Sequence, residues 1–62
     1  MANIAFEFPD GEVDTVAVNF VPRVGEVVNT NKSNYRVAQV FHYVRQEQYG
    51  FATTVKIVLE LP

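Results

Sequence analysis

The sequence predicts an all-β fold, a small five-stranded barrel built from one strongly bent antiparallel sheet. Three observations lead there. Apolar residues alternate with period two through nearly every segment, and helix-period stripes do not persist anywhere for the roughly 10 to 12 residues a helix needs. Turn chemistry recurs between the alternating segments. Finally, an open sheet of this size would expose its apolar face or its edges, which a closed or nearly closed barrel avoids.

The first segment places Ile4, Phe6 and Phe8 on one face and Ala5 and Glu7 on the other, the pattern of a half-buried strand. Pro9-Asp10-Gly11 then combines a preset φ, a side chain able to cap its own backbone and a residue tolerant of positive φ. Residues 3 to 20 are therefore expected to form a hairpin. On the return arm Val16, Val18 and Phe20 face inward, with Thr15, Ala17 and Asn19 outward. Val13 breaks that parity and suggests a register shift near Asp14.

Pro22 cannot donate a ladder hydrogen bond and Gly25 permits a sharp bend, so VPRVGEVV reads as a crossover into a short third strand, Glu26 to Thr30. The polar run Asn29 to Asn34 can only be a turn or loop. Tyr35 to Gln46 is the longest strand, and its apolar parity changes: Tyr35 and Val37 share one face, Val40, His42 and Val44 the other. A bulge around Ala38-Gln39 reconciles the two and bends the strand. In the last strand, Phe51 to Leu61, Val55, Ile57, Leu59 and Leu61 point inward, and Pro62 blunts what is expected to be a sheet edge.

The 62 residues make one domain, 1 to 62, with no internal repeat, linker or low-complexity segment. A chain this short buries only about 60% of the surface its unfolded form exposes. It contains no cysteine, so neither disulfides nor thiolate metal sites supplement the core. The start lacks the basic and apolar regions of a signal peptide, and no apolar run approaches the roughly 20 residues that span a bilayer. A cytoplasmic protein without membrane contact is expected. A net charge of -2 offers no overall attraction for phosphate, so nucleic-acid binding would need a local basic patch.

Pro22, Gly25, Glu26 and Val28, followed by Tyr35, Val37, Val40 and His42, form the order Pro-x-x-Gly-Glu-x-Val and Tyr-x-Val-x-x-Val-x-His. Across residues 21 to 61 this resembles small SH3-like barrels of short bacterial and phage-encoded proteins of unknown function. The resemblance implies a fold and no activity.

Chemistry-bearing motifs are few. His42 has no partnering nucleophile and carboxylate in its vicinity in sequence, and its parity with Val40 and Val44 predicts a packed, hydrogen-bonded histidine. One histidine without cysteine supplies no ligand set for zinc. Asp10, Glu12 and Asp14 recur at every second position and could attract a hard cation, but they lack the calcium-loop pattern and read as solvated carboxylates. Three scattered glycines build no phosphate loop. No metal or cofactor is expected, nor is an enzyme, which would require a pocket assembled between subunits from residues such as His42, Tyr43 and Glu47.

The stretch VFHYVRQEQYGF, residues 40 to 51, concentrates aromatics. If Val40, His42 and Val44 face the core, then Phe41, Tyr43 and Arg45 project outward, with Tyr49 and Phe51 across the hairpin near them. That set fits the core of a protein interface, where aromatics and arginine are enriched, and self-association through the edges of the terminal strands would add burial the monomer lacks. A partner protein or a second copy is thus the expected ligand. The alternative is single-stranded nucleic acid stacked on the same aromatics, with Arg36, Arg45 and Lys56 meeting phosphates. A third reading is that cross-strand pairs such as Tyr43 with Tyr49 or Phe51 merely stabilise the hairpin. Reversed parity after the bulge would bury Phe41 and Tyr43 and expose His42.

Overall fold

The computed structural model describes residues 2–62; Met1, the first residue of the expected domain, lies outside them. The fold is all-β: β1 (Ala2–Glu7), β2 (Val13–Val18), β3 (Val27–Asn29), β4 (Asn34–Glu47) and β5 (Gly50–Glu60). They form one curled sheet in the order β2-β1-β5-β4-β3. Among the described residues there is no helix, hence none long and apolar enough to cross a membrane.

The first hairpin forms as its turn chemistry dictates. Phe8 N–H donates to Glu12 O at 2.8 Å, Gly11 N–H donates to Phe8 O at 2.9 Å, and the Asp10 carboxylate accepts from Glu12 N–H at 2.9 Å. Gly11 adopts φ +93°, which a side chain at Cβ would oppose. The strands pair without interruption from Ala2 with Val18 to Glu7 with Val13. No register shift occurs at Asp14, and Val13 is simply an exposed apolar residue on the outer face.

The sheet departs from the expected all-antiparallel one in its middle. β1 runs parallel to β5, with Ile4 beside Val55 and Phe6 beside Ile57. Parallel neighbours need a long connection, here supplied by the whole of β2, β3 and β4. The terminal strands therefore lie inside the sheet, and its edges are β2 and β3. Pro62 does not end an edge strand, because β5 lies between β1 and β4 in the sheet.

The bulge in β4 lies where the parity change requires it. Val37 pairs with Leu59 and Gln39 with Val58, leaving Ala38 as the extra residue. Tyr35 and Val37 before it, and Val40 after it, thereby all reach the inner face. Gly25, at φ +91°, donates its N–H to Val37 O at 2.9 Å, and Val37 N–H donates to Glu26 O at 2.9 Å, so the crossover is tied to β4 beside the bulge.

Ile4, Phe8, Val37, Val55, Ile57 and Leu59 form the core, with Phe6, Val18, Val21, Val28, Tyr35 and Val40 packed partly against it. It occupies the concave side of the sheet at the end where β1 and β3 flank the central pair. Phe8 meets Tyr35 edge to face at 5.2 Å between centroids, a geometry worth about 0.5–1.5 kcal/mol beyond burial.

The curl stops short of closure, producing a half-barrel rather than a closed one. Side chains alone bridge the edges at one end. The Lys32 ammonium, on the β3–β4 loop, donates to the Glu12 carboxylate at 2.8 Å and sits 5.4 Å from the centre of the Phe8 ring. The hydrogen bond to Glu12, then the charge of Glu12, holds the ammonium above its ordinary pKa. A raised pKa contributes stability fully below the unfolded-state value and loses it as pH rises through the folded one. We therefore expect the stability difference between wild type and Lys32→Met, read from urea midpoints between about pH 8 and 11, to shrink at the alkaline end. A constant difference would mean that the charge contributes nothing.

Candidate protein-binding arm and open seam

β4 and β5 outrun their neighbours. β1 accompanies β5 only from Val55 to Val58, and β3 accompanies β4 only from Asn34 to Arg36. Beyond Val55 the two long strands continue as an unaccompanied ribbon, pairing His42 with Val55, Tyr43 with Thr54, Val44 with Thr53, Arg45 with Ala52, Gln46 with Phe51 and Glu47 with Gly50. This arm makes the molecule 40 Å long against 20 and 19 Å in the other directions. Gln48 and Tyr49 form its two-residue loop with negative φ, and Gly50 takes the positive angle, φ +141°.

Because directly paired residues share a face, the arm sorts its side chains into two rows. Phe41, Tyr43 and Arg45 lie on the outer row, as expected from the parity after the bulge. Phe41 and Tyr43 stack with centroids 6.3 Å apart and planes at 24°. His42, Val44, Gln46 and Phe51 lie on the row continuous with the core face. Phe51 thus sits on the opposite face from Phe41 and Tyr43, correcting its expected place beside them. The alternation that turns Val55 and Ile57 inward already carries Phe51 with them. Tyr49 stands at the tip, 94% exposed.

His42 is exposed rather than packed. The parity is correct and its partner Val55 belongs to the core, but β3 flanks β4 only as far as Arg36, so no strand lies beside His42 on its other side. Four of the five aromatic and arginine positions are consequently brought onto one arm, divided between its two faces and its tip, and Phe41 stands at its base, where its partner Lys56 still has Ala5 beside it.

The candidate cations are all occupied. Arg36 Nε donates to Glu60 at 3.0 Å, Arg45 to Glu47 at 2.9 Å, and Lys56 lies 3.4 Å from the Glu7 carboxylate. Such surface pairs contribute only about 0–1 kcal/mol each, yet they offset the positive charge that a phosphate backbone would seek. Asp10 caps the first turn and Glu12 binds Lys32, so these two acids serve local structure. No group of three or more His, Cys, Asp or Glu residues able to hold a metal occurs among the described residues.

A second feature was not evident from the alternation. Between β2 and β3 the half-barrel leaves two adjoining hollows of about 350 and 310 Å³. Phe6, Val16, Val18, Phe20, Val27 and Val28 are among their apolar lining, and Asp14, Glu26 and Lys32 bring charge to it. Phe20, expected to point into a closed interior, is 69% exposed because β3 does not close over it. Comparison with known proteins adds no relative: no family model, curated protein or solved structure matches the chain.

Proposed function

We propose that this protein is a non-enzymatic interaction module that binds a protein partner or a second copy of itself through the β4–β5 arm. The architecture we assign is an SH3-like barrel left open on one side, a reading supported by five short strands and the bulged fourth strand, although β1 and β5 run parallel. One observation carries the functional proposal: an arm exposed on both faces presents Phe41, Tyr43, Val44, Tyr49 and Phe51 to solvent. A two-stranded ribbon is at best marginally stable in water, so covering those aromatics would both order the arm and remove apolar area. Arg45 supplies a directional charge at its side.

Single-stranded nucleic acid ranks second because Arg36, Arg45 and Lys56 already face carboxylates. Light scattering at low and high salt, with and without a random single-stranded oligonucleotide, separates the readings. We expect a mass indifferent to the oligonucleotide, and we expect Tyr43→Ala and Tyr49→Ala to weaken association with self or partner by about tenfold or more without changing the melting curve. A mass that rises only with oligonucleotide and only at low salt would replace the proposal with nucleic-acid binding, through release of counterions.

A further inference from the structure

Among the described residues, the large exposed apolar side chains fall almost entirely into two places. One is the arm. The other is the open side of the half-barrel, where Val16, Phe20 and Val27 surround the groove and Val24 lies in the adjoining crossover. We propose that the groove between β2 and β3 receives the β4–β5 arm of a second copy of this chain. The inference rests on the arm being the binding element and identifies what it binds.

The two edges are free, and the lengths match. No Cα of β2 comes within 8 Å of a Cα of β3, whereas paired strands place theirs about 4.5–5.5 Å apart. With these two edges unpaired, a strand of the incoming arm can add along β2 at the usual spacing of about 4.8 Å. The ribbon from His42 to Glu47 is about 20 Å long at about 3.4 Å per residue, the same length as the six-residue edge strand β2. The outer edge of β2 carries unpaired backbone groups along that length. Val44 and Phe51 share the arm face that continues the core side, and they supply the apolar side chains for the groove.

The surface area also points to a second copy. The chain exposes 4702 Å², while a compact protein of its 7.0 kDa exposes about 4,000 Å². Its radius of gyration is 12.4 Å against about 10.6 Å for a compact chain of this length. The excess surface approaches the roughly 800 Å² that each partner contributes to a standard interface. Donor and acceptor are different surfaces of one molecule, so copies can exchange arms about a two-fold axis or pass them around a ring.

The test uses the full chain, whose lack of cysteine provides a clean background. Sedimentation is measured across about 1 to 100 µM, where mass action reveals association. Phe51→Ser on the arm and Phe20→Ser in the groove change exposed side chains, so the fold survives them; a melting curve verifies this. Each is expected to weaken self-association by about tenfold or more. Mixed Phe51→Cys and Phe20→Cys variants should oxidise to a mixed disulfide much faster than Phe51→Cys with Thr15→Cys, because Thr15 lies on the outer face of β2. Association lost in Phe51→Ser but retained in Phe20→Ser would overturn the groove as acceptor while leaving the arm as the binding element. Wild type that stays single-chain throughout would overturn self-docking, and the arm would then require an outside protein. Retention of association in both variants would overturn docking in the groove, and loss of association in Tyr43→Ala and Tyr49→Ala would then still place the binding on the arm.

Discussion

Replacing Ile57 by alanine is expected to unfold a large share of the protein at room temperature. Ile57 is 0% exposed and lies between Phe6 on β1 and Val40 on β4, at the centre of the sheet. Shortening a buried isoleucine to alanine removes transfer free energy and leaves a cavity, together about 2–5 kcal/mol. A domain of this length has only about 3–9 kcal/mol to lose. The six core residues have few neighbours able to collapse into the gap, which favours the upper part of that range. Thermal and urea denaturation followed by circular dichroism should show a midpoint lowered by roughly 10 to 30 °C. Val44→Ala provides the contrast: it shares the face parity of Ile57 but is 63% exposed, and below the association range it should change stability by no more than about 0.5 kcal/mol. Equal losses in the two variants would mean that the core extends along the arm.

Gly25→Val is expected to be the next most damaging change, for a reason unrelated to cavities. A Cβ at this position meets nothing within 4 Å, so space is not the constraint. The constraint is φ +91°, a conformation disfavoured for a β-branched residue by about 1–3 kcal/mol. The substitution cannot relax locally, because Gly25 N–H is bonded to Val37 O and the adjacent Glu26 O accepts from Val37 N–H. Rotating the backbone to a favourable angle would detach the crossover from β4 at the bulge. We expect a lowered urea midpoint with the slope unchanged, and a smaller loss for Gly25→Ala. A Gly25→Val protein as stable as wild type would show that the turn has an equally good conformation at negative φ.

Some of this arrangement is legible in the residues and some is not. Pro9, Asp10 and Gly11 encode the first turn locally, down to the carboxylate that caps Glu12 N–H. The change of parity between Val37 and Val40 announces the bulge, since only an extra residue lets both reach one face. Alternation also separates Phe41 and Tyr43 from Val44, but it records a face and not a neighbour. Whether a face is buried depends on which strands flank it, and nothing in residues 2–7 declares that they will lie parallel to residues 55–58. Three consequences were therefore hidden: the edges are β2 and β3, Phe20 faces an open groove, and His42 has no strand beside it on the β3 side. The candidate site was legible as a cluster of residue types in 40 to 51, while its partition between two faces depended on the register of β5.

The parallel pairing of β1 with β5 determines the order in which this protein can assemble. Neighbours such as Ile4 and Val55 are close in the sheet but come from near opposite ends of the sequence. The β1–β2 and β4–β5 hairpins close short loops and can form early, each from residues adjacent in the chain. Joining them must wait for the most distant contacts, which makes the central seam the slow step. Until β5 joins it, the first hairpin has Ile4, Phe6 and Phe8 uncovered. Trimming either end would remove a strand from the middle of the sheet: loss of β1 leaves β2 without a neighbour, and loss of β5 separates the β1–β2 pair from the β3–β4 pair.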